Sequence, residues 1–120
     1  MLLPLAIYAN PTANLSSVVD AINSGDAEKL SKFFDTKVEI GLFNKEKVYD
    51  KTGATAVLKD FFGKNKPSSF QMMHSGTSKG KASNYAIGSL VAGGKKFRVF
   101  LYMKDANSGV LIEQIQIELE

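Results

Sequence analysis

Cysteine and tryptophan are absent from this chain, histidine occurs only at His74, and arginine occurs only at Arg98. Without cysteine there is no disulfide, no thiolate metal ligand and no thiol nucleophile, although the compartment stays open. A transition-metal site usually takes several nitrogen or sulfur donors, so a lone histidine gives no reason to expect a metal. No glycine-rich phosphate loop is present, because Gly63 and Gly93-Gly94 do not lead into helices. No serine stands in a Gly-x-Ser-x-Gly elbow. No cofactor and no catalytic constellation are therefore expected. No apolar run approaches the roughly 18 residues that span a membrane. Repeats and low-complexity tracts are missing too.

What is there describes one ordinary globular domain. The 120 residues suffice for a single core, and 44% hydrophobic with 22% charged residues is typical of a soluble fold. Eight Phe and four Tyr point to a phenylalanine-rich interior. The formal net charge is +3, and lysine supplies all but one of the 15 basic residues. These lysines are scattered over turns and helix faces. Nucleic-acid binding wants clustered Arg and Lys with stacking aromatics, so a solvated surface is the better reading and no nucleic-acid partner is expected.

The opening MLLPLAIYA is apolar and uncharged. It reads as the remnant of a secretory signal or as an apolar arm packed on the domain. The basic n-region and long apolar run of a complete signal are missing. Residues 1–12 are set apart on this basis, with the domain at 13–120, and export to the periplasm or cell surface is expected.

Asn10-Pro11-Thr12 breaks that start. Leu15, Val18, Val19 and Ile22 then form one helical stripe. Ser24-Gly25 ends it, since Gly accepts the left-handed C′ conformation. Asp26 can cap a second helix with Leu30, Phe33 and Phe34 on its buried side, closed by Asp35-Thr36. Val38 to Phe43 reads as a strand, and Asn44 to Lys51 as a loop or short hairpin. Thr52 can cap a third helix with Ala54, Val57, Leu58, Phe61 and Phe62 as its stripe. The rest reads as a β-meander: Ser69 to Thr77, Ser83 to Ala92, Lys96 to Lys104 and Val110 to Leu119. Turns fall at residues 78–81, at Gly93-Gly94 and at Asn107-Ser108-Gly109. Gly76 and Gly88 inside strands suggest bends or bulges. The expected order is ααβα followed by four strands.

This order, with the phrase AINSGDAEKL and a strand after Phe33-Phe34, resembles the nuclear transport factor 2-like (ketosteroid isomerase-like, cystatin-like) superfamily over about residues 13 to 119. FQMMHSG, and NYAIGSL followed by KFRVFLYMK, resemble a small exported bacterial family of unknown function within it. The resemblance implies an α+β fold: three N-terminal helices packed on a strongly curved, mostly antiparallel sheet, forming a cone with a pocket. It also implies a homodimer through the convex sheet face. Phe97, Val99 and Leu101 would form an apolar patch there if they point outward. The isomerases of the superfamily place a Tyr eight residues before the Asp of the Gly-Asp pair, and a catalytic Asp on the following strand. Here those positions hold Val18 and Ile40. Neither can move a proton or stabilise an oxyanion, so that reaction is not carried over. Dehydratases of the group use a His–Asp pair, which one histidine makes hard to rebuild.

The remaining polar candidates each read two ways. His74 would serve as a general base in a cavity, a role that imidazole suits; as a plain strand residue it hydrogen-bonds beside Phe70 and Met72. Glu39 faces solvent if Val38 and Ile40 face the core, and otherwise enters the cavity toward Arg98. Arg98 would anchor a carboxylate ligand or pair with Glu113 across strands. Tyr85 and Tyr102 would offer hydroxyls or simply pack. Met72 would line an adaptable pocket or the core. The reading adopted is a non-catalytic exported domain that binds a small apolar or amphipathic ligand or a protein partner. Its candidate pocket residues are His74, Tyr85, Arg98, Tyr102 and Met72, with no catalytic residue. The alternatives are an enzyme (hydrolase, dehydratase or isomerase) with His74 as base and Tyr85 or Arg98 orienting the substrate, and a structural domain whose cavity Phe33, Phe61 and Phe62 fill.

Overall fold

The computed structural model describes residues 11–77, 83–106 and 109–120. The expectations for the opening residues 1–10, for the turn at 78–81 and for turn residues 107–108 lie outside them. Among the described residues, three helices and six strands occur in the order α1 (Pro11–Ser24), α2 (Ala27–Ser31), β1 (Phe34–Leu42), β2 (Lys45–Asp50), α3 (Lys51–Lys64), β3 (Pro67–Thr77), β4 (Ser83–Ala92), β5 (Lys95–Ala106) and β6 (Gly109–Leu119). The strands form one curved, unclosed sheet in the order β2-β1-β6-β5-β4-β3. Only β1 and β6 run parallel; every other neighbouring pair is antiparallel.

Local chemistry explains most boundaries. Gly25 leaves α1 at φ +66°, as a C′ glycine should. The Asp26 carboxylate accepts the Lys29 N–H at 3.0 Å and starts α2. That helix is shorter than its apolar pattern suggests. Phe33 and Phe34 were expected on it, but α2 stops at Ser31 and Phe34 opens β1. The cause is non-local: the Ile112 N–H of β6 donates to the Phe33 carbonyl at 2.6 Å and draws the chain into the sheet.

The segment after β1 is a hairpin. Its turn residues Phe43 and Asn44 both have positive φ, 52° and 67°, as the tight turns that match strand twist require. The cap of α3 is Asp50, not Thr52. The Asp50 carboxylate accepts the Gly53 N–H at 2.7 Å, which places the helix start at Lys51. Asp50→Ala should therefore lower stability by about 1 kcal/mol. Thr52→Ala should leave it nearly unchanged, and urea midpoints of the two variants check the assignment.

Inside the sheet, Val38, Ile40, Leu90, Phe97, Val99, Leu101, Met103, Ile112, Ile115 and Ile117 are all buried against Val18, Ile22, Leu30, Leu58, Phe61 and Phe62 of the helices. The outward patch considered for Phe97, Val99 and Leu101 is thus absent; these residues are at most 1% exposed. Val18 and Ile40, at the two isomerase positions, are core residues exposed by 0% and 2%. An aromatic cluster closes one end. Phe61 and Phe97 meet edge-on at 5.3 Å between centroids, Phe62 touches Phe61 at 5.8 Å, and Phe43 reaches Phe97 at 6.2 Å.

One irregularity exchanges the two faces partway along β3. The β3–β4 pairing shifts register between Met72 and His74, so Met73 is an extra residue, a β-bulge. Before it, Phe70 pairs with Leu90 and Met72 with Gly88 on the helix-facing side. After it, His74 pairs with Ile87 and Gly76 with Tyr85.

Candidate functional site

The five residues expected to share a pocket divide between the two faces of the sheet. Met72 is half-buried on the helix-facing side. His74 was expected beside Phe70 and Met72, but the bulge turns it to the outer face. There its Nε2 and the Tyr85 hydroxyl share a 3.0 Å hydrogen bond. Tyr85 pairs directly with Tyr102 on β5. The outer face therefore brings together His74, Tyr85 and Tyr102 on three adjacent strands. Gly76 lies beneath the Tyr85 ring, where a Cβ would fall 2.7 Å from the hydroxyl oxygen.

Arg98 stands apart, in the row of Ser89 and Glu118. Its ion pair is with Glu120, at 3.3 Å, and not with Glu113. The β5–β6 register is the reason: it sets Arg98 opposite Glu118, whereas Glu113 lies farther along the ladder, at a register shift between Tyr102 and Met103. It carries Glu113 toward Lys104, whose ammonium is held charged mainly by Asp35 at 2.9 Å, with Glu113 adding to it.

Glu39 points to the outer face, as the burial of Val38 and Ile40 requires. It meets Glu46 of β2 there, and Gln116 Nε2 donates to Glu46 Oε1 at 3.0 Å. The hydrogen bond with Glu46 raises the Glu39 pKa, with burial and the Glu46 charge acting in the same direction. A raised carboxyl pKa means that the folded state holds the proton more tightly than the unfolded chain. This contribution favours folding at acid pH and is lost as pH rises through the elevated pKa. Glu39→Gln should therefore raise the urea midpoint at about pH 7 and leave it unchanged at about pH 3, below the ordinary glutamate range.

A recess of about 300 Å³ lies at the end of the helix-facing side, away from the aromatic cluster. Leu15 of α1, Met103 of β5 and Val110 of β6 supply apolar walls. Ser75, Thr77, Asn84 and Asp105 supply the polar groups. Asn84 is the buried polar residue among the described residues, at 9% exposure. Its Nδ2 donates to Asp105 Oδ1 at 2.6 Å, a charge-assisted bond that fixes both side chains. Neither residue was singled out from the sequence. A signal was present: Asn84 shares the period-2 phase of Ala86, Gly88 and Leu90, and so is a polar group in register with the core. Tyr85 is the one expected pocket residue that also borders this recess.

Chemically, the arrangement holds and orients. The alkyl side chains at Val18 and Ile40 leave the helix-facing side without the isomerase donors, and the single histidine lies on the opposite face.

Known structures bear on the fold. A protein from Bacteroides ovatus is 33% identical over 88% of this chain and 94% of its own, with a TM-score of 0.82. One from Bacteroides uniformis is 28% identical over 88% and 95%, with a TM-score of 0.81. Both are described as DUF4783 family proteins. A nuclear transport factor 2-like protein of unknown function from Silicibacter pomeroyi is 16% identical over 91% and 92%, with a TM-score of 0.66, a likeness of fold alone. No curated protein matches the chain. A family model, the domain of unknown function DUF4783, matches residues 15–118. With its curved sheet, its three helices and nearly all of its described residues inside that match, this chain belongs to the DUF4783 family and has a nuclear transport factor 2-like fold.

Proposed function

We propose that this domain is a non-catalytic binding module that takes a small apolar or amphipathic ligand in the recess beside Asn84 and Asp105. The observation that carries the reading is the buried Asn84 amide, held by the exposed Asp105 carboxylate at the rim, set among apolar walls. Ligand pockets commonly join a mainly apolar lining to a few fixed polar groups, and about 300 Å³ is the lower end of their usual size. Native mass spectrometry of protein purified from its own host tests this. A retained molecule that is lost in Asn84→Leu supports the reading; wild-type protein that carries nothing and shows no shifts at Asn84 with a fragment mixture overturns it.

A second observation favours self-association through the outer face. Tyr85, Ile87, Phe100, Tyr102, Gln114 and Gln116 are half-buried neighbours there and carry no charge. Aromatic, charge-poor surface is the character of an interface centre. A homodimer by sedimentation, converted to monomer by Phe100→Lys, supports it, and a monomeric wild type removes it. The apolar, uncharged opening MLLPLAIYA supports an exported location, periplasmic or at the cell surface, which fractionation of the host tests.

A further inference from the structure

The β1–β2 hairpin and α3 enclose a second groove of about 740 Å³, at the opposite end from the recess. Its apolar surface comes from Leu42 and Phe43 of the hairpin and from Val57 of α3. Its charged lining is Lys45, Glu46 and Lys47 of β2 with Asp60 and Lys64 of α3. That strand alternates, so Lys45 and Lys47 stand opposite Leu42 and Ile40 on the helix-facing side, while Glu46 stands opposite Gly41 on the outer face. Among the described residues neither lysine makes an ion pair, whereas Lys64 at the same groove is held by Asp60 at 3.2 Å. Lys47 sits over the Tyr49 ring at 5.5 Å, a position that keeps its ammonium beside the apolar surface.

Phe43 adds an independent observation. Its φ of 52° is a left-handed value that favours Gly, Asn or Asp at a hairpin turn. Bulky side chains rarely accept it, and an observed outlier of this kind points to function. The ring packs on one edge against Phe61 and Phe97 but remains 53% exposed at the groove. Lysines on an edge strand also discourage strand pairing. That role accounts for the charge on β2, and packing on Phe61 and Phe97 accounts for one edge of the Phe43 ring, but neither uses the half of the ring that faces the groove.

We infer that this groove binds an amphipathic anion, with its carboxylate between Lys45 and Lys47 and its alkyl body on Leu42, Phe43 and Val57. Two neighbouring cations bordering apolar surface select the anion over an alcohol or an amine of equal chain length, and added salt weakens the contact.

The test is an amide-shift titration of the wild-type chain with sodium decanoate, decanol and decyltrimethylammonium. Decanoate should shift residues of β2 and α3 and bind at least tenfold more tightly than the other two. The double variant Lys45→Gln with Lys47→Gln, folded by circular dichroism, should lose at least tenfold in decanoate affinity. Phe43→Asn should weaken decanoate while keeping the fold. Equal binding of decanol, or decanoate shifts confined to Asn84 and Asp105, would overturn the inference; the second result would instead favour the recess. Should the double variant fail to fold, the three wild-type titrations decide alone, and no decanoate binding at all sinks the proposal.

Discussion

Phe97→Ala should destabilise this domain by about 3–5 kcal/mol, the usual cost of removing a buried phenylalanine. The ring is 1% exposed and stands edge-on to Phe61 at 5.3 Å and to Phe43 at 6.2 Å. Three elements converge on it: the β1–β2 turn, α3 and β5. Truncation removes the transfer energy of the ring and leaves a void that the surrounding strands cannot close. A domain of this size has about 5–15 kcal/mol in total, so the variant should be near its limit at 37 °C. Phe100→Ala is the control. Phe100 is three residues on, half-buried on the outer face, and its loss should cost about 1 kcal/mol or less, as less partly buried area is given up. Urea unfolding of both variants measures the difference. A larger loss for Phe100→Ala would mean that β5 presents its other face to the core, because a one-residue slip exchanges every side chain between faces.

Gly88→Ala should cost about 2–3 kcal/mol although it adds a single methyl group. A Cβ at Gly88 would lie 2.5 Å from two atoms of the Phe70 ring and 2.9 Å from the Gln71 carbonyl oxygen. The ring has little room to retreat, since Phe70 is 4% exposed and its backbone is held on both sides by Asn23. Asn23 Oδ1 accepts the Phe70 N–H at 2.9 Å, and Asn23 Nδ2 donates to the Phe70 carbonyl at 3.2 Å. The fall in Tm should be about 10 °C. Combining Gly88→Ala with Phe70→Leu should cost clearly less than the two losses added, because the smaller side chain vacates the contact. Strict additivity would show that the clash with the ring is not the cause.

The helices were largely legible in the chain. The stripe of Leu15, Val18, Val19 and Ile22, the Gly25 stop and the Asp26 cap each act within a few residues, so local reading finds them. Strand β4 was found with both ends correct, since Ser83 to Ala92 alternates without interruption and ends at Gly93-Gly94 with φ of +57° and +76°. The errors have one character. Phe34 left its helix because β6 captured the Phe33 carbonyl, and Asp50 outcompeted Thr52 because its carboxylate reaches Gly53. His74 changed face because Met73 is an extra residue, and Arg98 found Glu120 because the β5–β6 register sets it opposite Glu118, far from Glu113.

The candidate site was less legible than the fold. Met72, His74, Tyr85, Tyr102 and Arg98 were gathered by alternation alone, which assumes an unbroken pleat. Asn84 and Asp105 meet only because β4 and β5 pair antiparallel, with Asn84 opposite Met103. Their contact is diagonal across strands and leaves no spacing in the chain to read.

By itself the sequence determined the helix and strand content, the turns that glycine requires, the loss of proton-transfer groups at Val18 and Ile40, and the likeness to a curved-sheet superfamily. The tertiary structure decided which face His74 presents, which acid Arg98 meets, and where a recess and a groove remain beside a filled core. The division follows the range of the forces. Capping, turn conformation and hydrophobic period act over a few residues, whereas bulges, cross-strand partners and cavities exist only once distant segments have been brought into register.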